Sequence, residues 1–242
     1  MSTVRHVLAL AAISCLLAGP AAAQDKAAAE AAKKMFDART ASTEAAAQLK
    51  RTHRASDADV IKLLAQVGYR PDAIARASVE ALRADPPTTA RLMAGAGLAA
   101  ADIAGGMVAG ARVGGLETLE ALHVARVRGA ATPEVYRASR ASVDDLTEHL
   151  AARGEAAPST AATLMDVHRL RADAVTAPLA KRYAPREVGL ALKETARFDG
   201  EKIRTALVAE GISEAVVGNV LRELGLFAGE PGILTWKIRD YE

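Results

Sequence analysis

Apolar positions recur along this chain at helical spacing. Val60, Leu63, Leu64 and Val67 fall at i, i+3, i+4 and i+7, and Val217, Val220, Leu221 and Leu224 repeat the pattern. Val188, Ala191, Leu192 and Thr195 follow it with a weaker last member. Such spacing lines one face of a helix with apolar side chains and predicts helices that bury that face. Strand-like alternation is confined to the C-terminus, where Leu234, Trp236 and Ile238 alternate with Thr235, Lys237 and Arg239 after the turn-forming Gly229-Glu230-Pro231-Gly232. Residues 229–242 are therefore expected to form a short extended tail. It either covers the last apolar face or docks on a partner by strand addition, with Trp236 and Ile238 as contact residues.

The pattern also repeats. Gly68 has Leu64 four residues before it, Tyr69 just after and Ile74 six after. Gly97 stands likewise among Met93, Leu98 and Ile103, and Gly211 among Leu207, Ile212 and Val217. Looser copies centre on Gly129, with Val135 six later, and on Arg182, with Tyr183 next and Val188 six later. Gly154 completes the series, although Thr160 replaces the apolar member. The successive spacings are 29, 32, 25, 28 and 29 residues, an irregular repeat of about 29. Twelve residues before Gly68, Gly97, Gly154 and Gly211 stand Ser56, Asp85, Ser142 and Asp199. Their side-chain oxygens suit an N-cap, where they accept from unsatisfied N–H groups of the first turn. Asp145 adds an acidic N3 partner for Ser142.

Each copy thus reads as a helix, a glycine turn in the left-handed conformation, and a second helix. Pro71, Pro133 and Pro185 fit the first position of the second helix, and Thr132-Pro133-Glu134 is a cap followed by such a proline. The expected fold is all-α, an irregular α-solenoid or helical bundle of helix-turn-helix pairs over residues 53–228. The layout is similar to α-solenoid repeats in general, but the tetratricopeptide Trp/Gly/Tyr pattern and the ankyrin Thr-Pro-Leu-His are absent. Residues 24–52 stand apart as an Ala-rich segment of mixed charge. Helix is expected there, with Glu30 four residues before Lys34.

Composition changes this picture mainly at the N-terminus. Arg5 precedes an apolar run from Val7 to Ala18, Gly19-Pro20 breaks it, and Ala21-Ala22-Ala23 leads to Gln24. Residues 1–23 read as a cleavable signal peptide, too short to anchor in a bilayer. The expected destination is the periplasm or the exterior, with a lipoprotein cut at Cys15 as the alternative. Cleavage before Gln24 removes the only cysteine and leaves 30 Lys and Arg against 29 Asp and Glu. That balance argues against nucleic acid as partner, since such binding needs a basic surface. Half the residues are hydrophobic but only 3% are aromatic, so the core is expected to be Ala, Leu and Val.

Candidate chemistry is sparse. His53, His123, His149 and His168 show no helical zinc spacing, and no phosphate-cradling glycine loop or nucleophile elbow is present. Neither a cofactor nor a metal is expected. Carboxylate pairs such as Glu117 and Glu120 leave a helical hydrolase as an alternative only if titratable groups converge in space. Gly106, Gly110 and Gly114, four residues apart, are expected to line one helix face and admit a neighbouring backbone. With the apolar stretch from Leu92 to Val113 they raise a membrane-associated alternative, which Asp102, Arg112 and the break at Gly97 oppose. The leading expectation is an exported, non-catalytic helical-repeat scaffold for a protein or peptide. Tyr69 and Tyr183, recurring just after the turn, are its other candidate contact residues.

Overall fold

The computed structural model describes residues 20–226, with side chains from residue 25. Residues 1–19 of the expected signal segment, and the tail with Trp236 and Ile238, lie outside the described residues. The described chain is all-helical, with 14 helices and no strand. These are α1 (Pro20–Asp37), α2 (Ser42–His53), α3 (Asp57–Val67), α4 (Pro71–Glu80), α5 (Pro86–Gly95), α6 (Ala100–Ala109) and α7 (Gly115–Val124). There follow α8 (Pro133–Ser139), α9 (Val143–Ala152), α10 (Ala157–His168), a 3-10 turn (Ala172–Val175) leading into α11 (Thr176–Ala180), α12 (Pro185–Glu194), α13 (Gly200–Ala209) and α14 (Glu214–Glu223).

The chain divides into two compact units, one up to Arg140 and one from Ala141. Within each, every helix packs on its neighbour in the chain and on the next but one. In the first unit α1, α3, α5 and α7 form one layer and α2, α4, α6 and α8 the other. In the second, α9, α11 and α13 face α10, α12 and α14. This is solenoid connectivity, in which each repeat buries its apolar stripe against adjacent repeats. The Ala-rich segment after Gln24 belongs to it, because α1 and α2 pack on α3 and α4 as the later pairs do.

The caps follow the sequence closely. Ser56, Asp85, Ser142 and Asp199 are N-caps whose side chains accept from the N3 backbone, and Thr132 caps α8. Pro71, Pro133 and Pro185 open their helices, and Ser142 with Asp145 completes a capping box. Ile74, Ile103, Val135, Val188 and Val217, the residues six past each turn, are all buried.

Fixing the helix starts makes the repeat regular. From Asp57 onward the odd-numbered elements, the one containing α11 counted from its 3-10 turn at Ala172, begin 29, 29, 28, 29 and 28 residues apart. In that register Leu64, Met93 and Leu122 form one buried column in the first unit, and Leu150, Leu179 and Leu207 hold the equivalent buried positions in the second. Leu49, Ser78, Met107 and Tyr136 form the matching column of the even helices in the first unit, and Leu164, Leu192 and Leu221 are their buried equivalents in the second. Each large apolar member contributes about 1.5–3 kcal/mol by leaving water. In the first unit Ala46, Ala75 and Ala104 form a third column, small and buried, which lets α2, α4 and α6 approach closely.

Two expected turn centres shift. Gly129 does adopt positive φ, but the left-handed residue that closes α7 is Arg126, three residues earlier; a longer loop then leads into the short α8. The spacings of 32 and 25 residues arose from taking Gly129 for the in-register residue. Arg182 is not left-handed either: its N–H and that of Tyr183 both donate to the Leu179 carbonyl, closing the turn without positive φ.

Candidate functional site

Two kinds of turn alternate along the stack. Odd-to-even turns use Gly68, Gly97, Gly154 and Gly211 in the left-handed conformation. At the first, the N–H groups of Gly68 and Tyr69 donate to Ala65 (3.2 Å) and Leu64 (3.1 Å), the Schellman arrangement that satisfies terminal carbonyls. Even-to-odd turns use arginine instead: Arg54, Arg83, Arg112, Arg140, Arg169 and Arg197 all have φ between 52 and 60°. There the next residue reaches six positions back, as in Ala84 to Ser78 (3.1 Å) and Val113 to Met107 (3.2 Å). With Arg39 and Arg126, which stand in odd-to-even turns, arginine accounts for every non-glycine positive φ among the described residues.

A side chain in this conformation costs about 1–2 kcal/mol relative to ordinary backbone. The negative end of the helix dipole returns only about 0.3–1 kcal/mol to a cation there, and it favours lysine equally. No lysine takes such a position among the described residues. All eight arginines are exposed, and among the described residues none makes a side-chain hydrogen bond or ion pair. Several nearby acids have other partners. Asp57 pairs with Lys50 at 2.6 Å, Asp59 accepts from Ser56 Oγ, and Asp199 accepts from the Lys202 N–H. Hydrogen bonds from the Thr88 side chain and N–H hold the Asp85 carboxyl below its usual range. Each even-to-odd turn of the first unit therefore presents an unpartnered guanidinium.

Two half-open grooves in the first unit have such an arginine in their wall. One, of about 440 Å³, includes Arg54, Asp59, Lys62 and Leu63; the other, of about 410 Å³, includes Arg76, Val79, Glu80 and Arg112. Sequence reading passed over the arginines, although their signal is simple. Arg54-Ala55-Ser56, Arg83-Ala84-Asp85, Arg140-Ala141-Ser142 and Arg197-Phe198-Asp199 each place arginine two residues before a recognisable cap.

Tyr69 and Tyr183, both half-buried, act as clasps between repeats. Tyr69 Oη donates to the Thr40 carbonyl (2.8 Å), and its ring meets Phe36 edge-on with centroids 5.1 Å apart. Tyr183 Oη donates to the Glu155 carbonyl (2.9 Å) and contacts Thr160 Oγ1 at 2.7 Å. Each accepting carbonyl follows a left-handed residue, Arg39 or Gly154, so the two clasps are equivalent. Burial raises the pKa of both phenols.

The glycine trio separates. Gly106 and Gly110 face the N-terminus of α4, so that a methyl group on Gly106 would stand 2.7 Å from the Pro71 carbonyl oxygen. One on Gly110 would overlap the Asp72 carbonyl. Gly114 does not share that face: it is the extended N-cap of α7, with nothing within 4 Å of its Cβ position. The stretch 92–114 is parts of α5 and α6 with two turns, and no described helix is long and apolar enough to cross a membrane.

No protein-family model, no curated protein and no solved structure matches this chain. Among the described residues no three His, Cys, Asp or Glu side chains gather to hold a metal ion. Glu117 and Glu120 are both exposed on α7, and Glu148 pairs with Arg182 at 2.7 Å.

His168, the last residue of α10, buries an Nε2 that has no partner. Burial disfavours its charged form and lowers its pKa. Below the ordinary histidine value of about 6.5, the unfolded chain takes up a proton that the folded one refuses. Stability contributed by neutral His168 is thus complete above that value and declines as pH falls below it. Melting curves should show a smaller loss on acidification in His168→Gln than in the wild type; parallel losses would refute this.

Proposed function

We propose that this chain is an exported, non-catalytic scaffold that binds a protein or peptide along its stacked helices. Export rests on the signal-peptide pattern of residues 1–23. The observation that carries the binding role is the next-but-one stacking in each unit, which repeats the same turn side chains along one edge. Solenoids bind through such extended surfaces, where many modest contacts add along the repeat axis. The unpaired, exposed arginines at successive turns supply polar groups that the fold itself leaves unused.

The test is capture from a cell-envelope extract on the immobilised chain. A scaffold should retain a discrete protein saturably, and added soluble chain should compete it away. No retention above that on a blank matrix would dismiss the proposal.

A further inference from the structure

We infer that the even-to-odd edge of the first unit, built from Arg54, Arg83, Arg112 and Arg140, is a rail for an extended acidic peptide with a carboxylate at about every third residue. This deepens the scaffold reading and rests on it. The four arginines close successive even helices α2, α4, α6 and α8, which pack side by side. Packed helices stand about 8–10 Å apart, so equivalent turn residues recur at about that pitch. An extended or polyproline-type peptide advances about 3.1–3.4 Å per residue. Three residues therefore span one step of the rail, and in the polyproline helix every third side chain returns to the same side.

The chemistry agrees with the pitch. A guanidinium binds a carboxylate through two parallel N–H donors, which a lysine ammonium does not. The arginines occupy left-handed positions that glycine fills without strain elsewhere in the same fold, so a use for the side chain accounts for their placement. Acids also lie on these turns, with Asp57 paired to Lys50, Asp59 bonded to Ser56, Asp85 a cap and Glu80 in the wall beside Arg112, but among the described residues none of them forms an ion pair with the four arginines. The grooves beside Arg54 and Arg112 add apolar wall at Leu63 and Val79 for the residues between carboxylates. A nucleic-acid duplex brings a charge about every 1.7 Å of its axis, leaving most phosphates without an arginine. The chain's net charge of +2 supplies no broader basic field to meet them.

The test replaces all four arginines with glycine, which suits the local φ and relieves strain, so the variant should fold with an unchanged circular-dichroism spectrum. The probes are fluorescein-labelled peptides read by polarisation at physiological salt: repeated Glu-Pro-Pro, repeated Gln-Pro-Pro, a peptide with the same glutamates clustered, and an oligothymidine. The wild type should bind the Glu-Pro-Pro peptide roughly tenfold or more tightly than the Gln peptide, as expected of several exposed ion pairs acting together. It should prefer regular over clustered glutamates, and the glycine variant should lose that preference. Equal binding by the wild type and the variant overturns the rail. So does an oligothymidine that binds as tightly and is lost with the same arginines. Capture from the envelope extract separates the two proposals: a partner retained equally by wild type and variant leaves the scaffold standing without the rail. No captured partner removes the scaffold whatever the peptides do.

Discussion

Gly110→Ala is expected to destabilise the first unit by about 3 kcal/mol or more, while Gly114→Ala stays within about 1 kcal/mol. Both are single methyl additions a few residues apart, so composition and propensity do not separate them. What separates them is the neighbour. At Gly110 the new Cβ meets the carbonyl and Cα of Asp72, and these are backbone atoms in the first turn of α4. They cannot rotate away, and moving them shifts α4 against α6, the pair already drawn close by Ala75 and Ala104. At Gly114 the Cβ enters open space with φ of −61°, which any residue adopts. For a domain of this size each kcal/mol moves the melting temperature by about 2–4 °C, so the Gly110 variant should melt about 6–12 °C lower or more. Equal melting of the two variants in a calorimetric scan would show that the α4–α6 approach is looser than described.

Leu122→Ala should cost about 2–5 kcal/mol. Leu122 is fully buried in α7, in the column that runs through Leu64 and Met93 in the same unit. Truncation removes the transfer contribution of the side chain and leaves a cavity that short helices pinned by caps at both ends close only in part. Because α7 packs on α5, α6 and α8, the loss should appear first there. In a solenoid each repeat is stabilised by its own interfaces, so hydrogen exchange should rise in α5 to α8 before it rises in α12 to α14. A uniform rise along the chain would contradict that local accounting.

Much of the architecture was legible because its signals are local. A cap such as Ser142 acts within three residues, a proline such as Pro71 acts on its own turn, and a glycine such as Gly68 answers to its own φ. The register around Gly129 was not legible. A glycine three residues past the true left-handed residue, Arg126, carries the same local signal, and only the packing of α7 and α8 decides between them. The packing role of Tyr69 and Tyr183 was not legible for a related reason. A tyrosine after a turn looks the same whether its hydroxyl meets a partner or the carbonyl of the preceding repeat, 29 or 28 residues away.

By itself, then, the order of residues determined an all-helical chain of capped pairs with a period near 29 and a core of leucine and alanine. Helix periodicity and capping depend on neighbours within a turn or two, and those are present in the chain itself. Tertiary structure decided which glycines are packing contacts, which tyrosines are clasps, and that arginine, unpartnered, holds the left-handed position at every even-to-odd turn. Those facts depend on what lies one repeat away, at distances that only the stacking of the helices brings together.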